Sequence, residues 1–199
     1  MRIGSMAWQR VAFALLLVLL LLPEMALLGF FTAGAVLSSP AGLPHRADVV
    51  VVLGGGDGAR YARGRELIEA GLSDHLLLIN ATVLEREDAL GSLKNVEVLL
   101  DDLPVNSWQE AQAVRANMQL RGWNTALVVS DPPHLLRVSY AWASNFWGTR
   151  MSYTLIASNP LWWSTWHWWA NPQSTTFVES EVLKLGYYVL RYRFGFAAD

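Results

Sequence analysis

His134 and Arg137 stand three residues apart just beyond an apolar run, Thr125-Ala-Leu-Val-Val-Ser130, with Asp131 in the same connection. An imidazole exchanges a proton near neutral pH and a planar guanidinium grips anionic oxygens in pairs, so this spacing offers proton transfer beside an anion clamp. A plainer reading makes His134 a helix-start residue bonded to nearby backbone and pairs Arg137 with Asp131. A second stretch with chemical promise is Asp48-Val-Val-Val-Val-Leu-Gly-Gly-Gly-Asp-Gly-Ala-Arg60. There an unbroken apolar strand runs into a glycine-rich turn. Glycines at 54, 55, 56 and 58 allow the turn to present backbone N–H groups to a ligand, and the helix that follows adds its positive N-terminal end. A phosphate, carboxylate or nucleotide-like group is therefore expected on Gly54, Gly55, Gly56, Asp57 and Arg60. Residues 54–59 fit the permissive dinucleotide pattern G-x-G-x-x-A. The candidate second strand, His75–Ile79, ends in Asn80-Ala81-Thr82 without the acidic ribose partner, and no GKS or GKT triplet supports a mononucleotide loop. A packing turn without ligand is the simpler alternative. Asp57, Asp101 and Asp102 also fall at strand ends; with a histidine they could hold a divalent cation that activates water. No compact metal motif supports that, and solvated loop acids explain them as well.

These groups can cooperate only if strand ends carry them to one edge of a sheet. The pattern provides such strands. A helix is expected over 59–70, with Tyr61, Leu67 and Ile68 as its apolar residues and Gly71 as its stop. A strand follows at 75–79, a weaker helix at 82–93 and a strand at 96–100. Ser107-Trp-Gln-Glu110 reads as a capping box opening a helix to Arg121, with Gly122 beyond. Strand 125–130, helix 135–146 and strand 152–156 continue the alternation, and a last helix over 176–193 carries Val178, Val182, Leu185 and Val189 on one face. Tyr187, Tyr188, Tyr192, Phe194 and Phe196 make its end aromatic. Strand and helix alternating in this way predict an α/β, three-layer Rossmann-like domain with a mainly parallel sheet, whose ligand crevice lies at the carboxyl ends of the strands.

Fifteen basic and seventeen acidic residues leave a net charge of −2 without a basic stripe, which provides no electrostatic footprint for nucleic acid. Cysteine is absent, which excludes disulfides, thiol nucleophiles and cysteine zinc sites. Hydrophobic residues make up 53% of the chain, and the excess is concentrated at the start. Val11–Leu22 is unbroken hydrocarbon, Pro23-Glu24 interrupts it, and 25–37 resumes with Thr32 as its polar side chain. This exceeds the roughly 20 residues needed to cross a bilayer core. A central Glu costs about 2.5–3.5 kcal/mol, and the Leu, Val and Phe residues around it offset that by a few tenths each. Residues 1–37 are thus read as a membrane anchor, 38–46 as a linker and 47–199 as the domain. The competing reading is a cleaved signal peptide, with Arg2 and Arg10 as its basic region and Ala33-Gly34-Ala35 as its cleavage site; the apolar stretch is longer than the ~7–15 residues such a peptide uses. Arg2 and Arg10 precede the span and only Arg46 closely follows it, so the positive-inside rule leaves the N-terminus cytoplasmic and exports the domain. Five tryptophans crowd residues 162–169. They could stack on a sugar or polyprenyl-linked substrate or seat the domain at the bilayer interface, and aromatic packing with some interfacial contact is the favoured reading. His167 has no second histidine nearby to make a metal site.

Four separated segments, Asp48–Gly56 with Arg60, Asn106-Ser107, Ser130-Asp-Pro-Pro-His134-Leu-Leu-Arg137 and Glu181-Val-Leu-Lys184, resemble in order and spacing the YdcF/SanA/ElyC-like bacterial envelope proteins. The resemblance covers about residues 48–190. It implies a Rossmann-like domain, a single-span inner-membrane location tied to the cell envelope, which with the exported domain above places that domain in the periplasm, and S-adenosylmethionine or a nucleotide as ligand. It also implies envelope-assembly proteins as partners, and it carries no assigned reaction. Transferred residue by residue, it adds Asp101, Asn106, Ser107 and Glu181 to the ligand-binding set of Gly54, Gly55, Gly56, Asp57, Arg60 and Arg137, with His134 as the catalytic candidate. The chain departs from the usual pattern at Pro104, Ser107, Gln109-Glu110 and Asn80-Ala81. Two functions follow as expectations. One is a membrane-anchored protein that binds an anionic nucleotide- or phosphate-containing molecule and acts as a transferase or hydrolase in envelope biogenesis. The other is a non-catalytic scaffold for envelope assembly with a degenerate pocket.

Overall fold

The computed structural model describes residues 3–193; Arg2, Phe194 and Phe196 lie outside the described residues. Helix α1 (Ile3–Ser38) runs straight through Pro23. Pro23-Glu24 interrupts the apolar side chains but not the helix, because a proline removes one N–H from the ladder and a long apolar helix can continue past it. The segment Arg10–Ser38 is long and apolar enough to cross a membrane.

Five parallel strands follow: β1 (Val49–Val52), β2 (His75–Ile79), β3 (Glu97–Asp101), β4 (Thr125–Ser130) and β5 (Ser152–Ala157), in the order β3-β2-β1-β4-β5. Between them run α2 (Ala59–Glu69), α3 (Val83–Ser92), α4 (Ser107–Arg121) and α5 (Leu135–Phe146), and α6 (Pro172–Arg193) closes the chain. β1 lies at the centre, its register matching Val50 to Leu76 on one side and to Leu127 on the other. That position explains why it is four valines in a row: both faces are covered, so no polar alternation is tolerated. Val50 and Val52 pack with Tyr61, Leu67 and Ile68 of α2. Val49 and Val51 pack with α4 and α5 through Val114, Met118, Val138 and Trp142. The three-layer α/β architecture is thereby established.

The linker is a structural part of the domain. Gly42 N–H donates to the Leu155 carbonyl at 2.8 Å and His45 Nε2 meets Thr154 Oγ1 at 2.9 Å. It therefore lies along β5 and covers an edge that would otherwise be open for pairing. At the other end of β1, Asp48 Oδ2 accepts from Asn124 N, Thr125 N and Thr125 Oγ1 at 2.8–2.9 Å, tying the start of β1 to that of β4.

The last turns of α1 dock on the tryptophan segment. Trp168 Nε1 donates to the Phe30 carbonyl at 3.1 Å, and Leu37, Trp168 and Val178 form a small buried cluster. A side chain at Gly34 would overlap the Thr165 carbonyl. The sequence Ala33-Gly34-Ala35, which also reads as a cleavage site, thus sits inside a helix packed against the domain.

Two details of the helices differ from expectation. α6 begins at Pro172, because Asn171 Oδ1 accepts from Gln173 N and Ser174 N and proline suits the first helical position. Its buried face is Ser174, Val178, Glu181 and Tyr188, while Val182 is exposed. The side turned inward is the one that carries the acid.

Candidate functional site

At the carboxyl edge of the sheet a cleft of about 450 Å³ is lined by Gly54, Arg60, Asn106, Ser107, Glu110, His134, Arg137, Glu181, Lys184, Tyr187 and Tyr188, with Val105 and Phe177 at its walls. The strands gather the predicted groups here because β1 and β4 are neighbours. The turn after β1 delivers Arg60, and the 3-10 turn Pro132–His134 after β4 delivers His134.

The glycine-rich turn does not form the expected cradle for an anion. Arg60 fills it: its guanidinium donates to the Gly54 carbonyl, reaches the Leu53 carbonyl at 3.5 Å, and is held by Asp131 Oδ2 through Nε at 2.8 Å and Nη2 at 2.7 Å. Gly55 and Gly56, at φ of 86° and 88°, wrap this buried pair, and a Cβ on Gly56 would lie 3.1 Å from Asp131 Oδ2. Gly54 is required for another reason, since a Cβ there would come within 2.6 Å of the Ile79 carbonyl. The turn thus offers carbonyls to a cation from its own chain.

Arg137 is also committed, and its partner is not Asp131. Nε and Nη2 donate to the two oxygens of Glu181 at 2.7 and 3.0 Å, Nη1 donates to Ser107 Oγ at 3.0 Å, and the Tyr188 ring lies beneath, 5.1 Å from the guanidinium. Burial pulls the Arg137 pKa down and the Glu181 carboxylate more than offsets it. Glu181, the ligand-binding candidate, lines the cleft with both oxygens engaged, the second contact being Lys184 Nζ at 3.3 Å.

His134 is bridged by two serines, Ser130 Oγ at 2.8 Å on Nδ1 and Ser107 Oγ at 3.1 Å on Nε2. It does stand at the start of α5 as expected, and its backbone N–H donates to the Asp131 carbonyl at 3.0 Å, but the ring bonds the two serines and not the backbone. Burial first, then the charges of Arg137, Arg60 and Lys184, hold its pKa well below 6.5, so the imidazole is neutral at pH 7. A neutral imidazole can accept the Ser107 proton at one nitrogen while Ser130 fixes the other. Asn106 is the true cap of α4, accepting from Trp108 N at 3.0 Å and Gln109 N at 3.1 Å. Ser107-x-x-Glu110 is therefore no capping box: with the cap one residue earlier, Ser107 and Glu110 share the inward face of α4 and reach the cleft.

Other candidates fall away from it. Asp57 accepts from Ala59 N at 3.2 Å and from Trp162 Nε1 at 3.1 Å. Asp101 closes a turn through Leu103 N at 3.2 Å and faces Asn117, and Asp102 pairs with Arg86 at 2.7 Å. None of the three lines the cleft, and among the described residues they form no joint cation site. Gly55 and Gly56, also expected in the ligand-binding set, are likewise absent from its wall.

Glu110, Tyr188 and Lys184, which the sequence marks only as a capping residue, an aromatic helix end and part of the family-like motif, also line the cleft. Among the described residues, Glu110 Oε2 and the Tyr188 hydroxyl, both buried, have no hydrogen-bond partner. Burial raises the Glu110 pKa against the opposing pull of Arg60, Ser107 and Arg137. The i, i+3 spacing from Ser107 would have revealed Glu110 once Asn106 was taken as the cap.

The two shifted groups predict an acid-side stability profile. His134 has a folded pKa below its unfolded value, so the unfolded chain takes up the proton first. Its contribution is full above about pH 6.5 and declines below that by up to about 1.4 kcal/mol per pH unit. Glu110 has the opposite sign: its raised folded pKa adds stability at low pH that is lost as pH rises from the unfolded value through the folded one. Thermal unfolding of the detergent-solubilised chain between about pH 5 and 8 should show a shallower acid-side decline for His134→Asn and a gain at neutral pH for Glu110→Gln.

No family model, curated protein or solved structure matches this chain.

Proposed function

We propose that the protein is tethered by α1 to the bacterial inner membrane, holds its domain in the periplasm and binds a small anionic molecule, of the nucleotide- or phosphate-containing kind, in the cleft. The observation that carries this reading is that, of the five buried side-chain polar atoms without a partner among the described residues, two, Glu110 Oε2 and Tyr188 OH, share the wall of this one cleft. A ligand there can supply the hydrogen bonds that these two atoms lack. Lys184 at the mouth, half exposed, is the cation able to meet a negative group, and a ligand hydroxyl or amine suits Glu110. Ser107 and His134 are the pair suited to proton transfer or nucleophilic attack in a transferase or hydrolase. Calorimetric titration of the full chain in detergent with ATP, S-adenosylmethionine and inorganic phosphate tests it. Saturable binding by one of them is expected, weakened about tenfold or more in Glu110→Ala and Lys184→Ala, as for the loss of a buried or charge-assisted hydrogen bond. Absence of binding by all three probes, or binding indifferent to both substitutions, rejects the reading.

One observation favours the scaffold reading. Arg60 and Arg137 are both neutralised from within the chain, which leaves no guanidinium free for a ligand among the residues that line the cleft. If Ser107→Ala and Glu110→Ala preserve full envelope function in cells, scaffolding is the role.

A further inference from the structure

We infer that the tryptophan-bearing segment 161–170 is a second membrane contact, seated in the headgroup layer where α1 leaves the bilayer and holding the carboxyl edge of the sheet beside the lipid surface. The inference rests on the membrane-tethered reading of α1. Along that helix, Trp8 to Phe30 spans about 33 Å at 1.5 Å per residue, close to the hydrocarbon thickness of about 30 Å. Trp8, 76% exposed, then marks one interface and Phe30 the other, as aromatic residues do at the two boundaries of a bilayer.

The segment is clamped at the depth of Phe30. Trp168 bonds the Phe30 carbonyl, with ring centroids 4.7 Å apart, and Trp169 lies 5.4 Å from Phe30 and 5.1 Å from Phe31. These rings cannot leave the boundary without undocking α1. Residues 151–178 also contain no Asp, Glu, Lys or Arg, although Leu161 is fully exposed and Trp166 is 61% exposed. A segment without charges of its own, with a bare leucine and indole and Asp57 as the carboxylate bonded to Trp162, suits the polar–apolar interfacial layer better than open water when joined covalently to a membrane-crossing helix. α1 also packs beside the Pro132–His134 turn and α5, so seating the segment brings the cleft end of the sheet toward the lipid.

The chain has no cysteine, so single cysteines can be introduced cleanly. The full chain carrying Trp166→Cys or His167→Cys, labelled with an environment-sensitive fluorophore, is reconstituted in phosphatidylcholine–phosphatidylglycerol nanodiscs. It is then quenched by lipids bearing a nitroxide near the headgroup or deep in the acyl chain, the latter reading the label at 19, or by aqueous iodide. Leu19→Cys within α1 and Leu120→Cys at the far end of α4 are references. Labels at 166 and 167 are expected to be quenched by the shallow nitroxide and shielded from iodide about threefold or more relative to 120, as for an interfacial aromatic site. If they match the label at 120 while that at 19 is quenched by nitroxide lipid, the second contact does not exist and the tether stands. If the label at 19 escapes lipid quenching, the tether itself fails and this inference goes with it. Both substituted positions are exposed, so the fold survives the substitutions.

Discussion

Glu181→Ala is expected to cost about 3–5 kcal/mol, because it strips the partner from a buried guanidinium. Glu181 is 1% exposed and accepts both Nε and Nη2 of Arg137, itself 9% exposed. Little of the pair faces the cleft, so water entering there replaces the carboxylate only in part and the charge left behind carries most of the desolvation penalty. The consequence should reach Ser107, whose hydroxyl accepts from Arg137 Nη1 and contacts His134. Thermal unfolding in detergent should show a drop of roughly 6–20 °C for a chain of this size. The double variant Arg137→Met/Glu181→Leu should recover most of that loss, since removing both charges leaves neither unpaired. A Glu181→Ala variant within about 0.5 kcal/mol of the native chain, the range of ordinary surface substitutions, would show that the pair is hydrated and that the cleft is not built around it.

Asp131→Ala should be comparably severe, about 3–5 kcal/mol, and should spread further through the polypeptide. Asp131 is fully buried, holds Arg60 through two nitrogens, and accepts Ser158 Oγ at 2.6 Å through its other oxygen. One carboxylate thus joins the turn after β1 to the end of β5. Its loss leaves Arg60 facing only carbonyls inside a turn whose positive-φ glycines are arranged around the ion pair. Asp131→Asn keeps the shape and part of the hydrogen bonding but removes the charge, and should fall between the native chain and Asp131→Ala. Urea unfolding followed by tryptophan emission ranks the three. Equal stability of Asp131→Asn and the native chain would mean that hydrogen bonding, and not charge, holds Arg60 in the turn.

Much of the fold can be read along the chain because its determinants are short-range. A strand covered on both faces must be apolar through its covered length, and Val49–Val52 and Ala126–Val129 are. The bounds of α4 and α5 follow from their periodicity and punctuation, and both match the expected ranges. The cap of α4 is less legible, because Asn106 and Ser107 are both good capping residues and only the side-chain geometry distinguishes them. With Ser107 as cap, Glu110 reads as the far member of a capping box, whereas Asn106 as cap places it on the cleft wall.

What the chain determined locally, then, is an apolar helix long enough to cross a membrane and a strand–helix alternation that builds a parallel sheet with polar residues at its carboxyl edge. The tertiary structure alone decided which charges meet there. Arg60 and Asp131 are 71 residues apart, and Arg137 and Glu181 are 44 apart. Both contacts depend on which strands neighbour each other and on which face of α6 turns inward. An arginine beside a glycine turn reads as an anion clamp so long as its carboxylate is unknown. Folding brings Asp131 to Arg60 because an unpaired guanidinium could not be buried between β1 and β4.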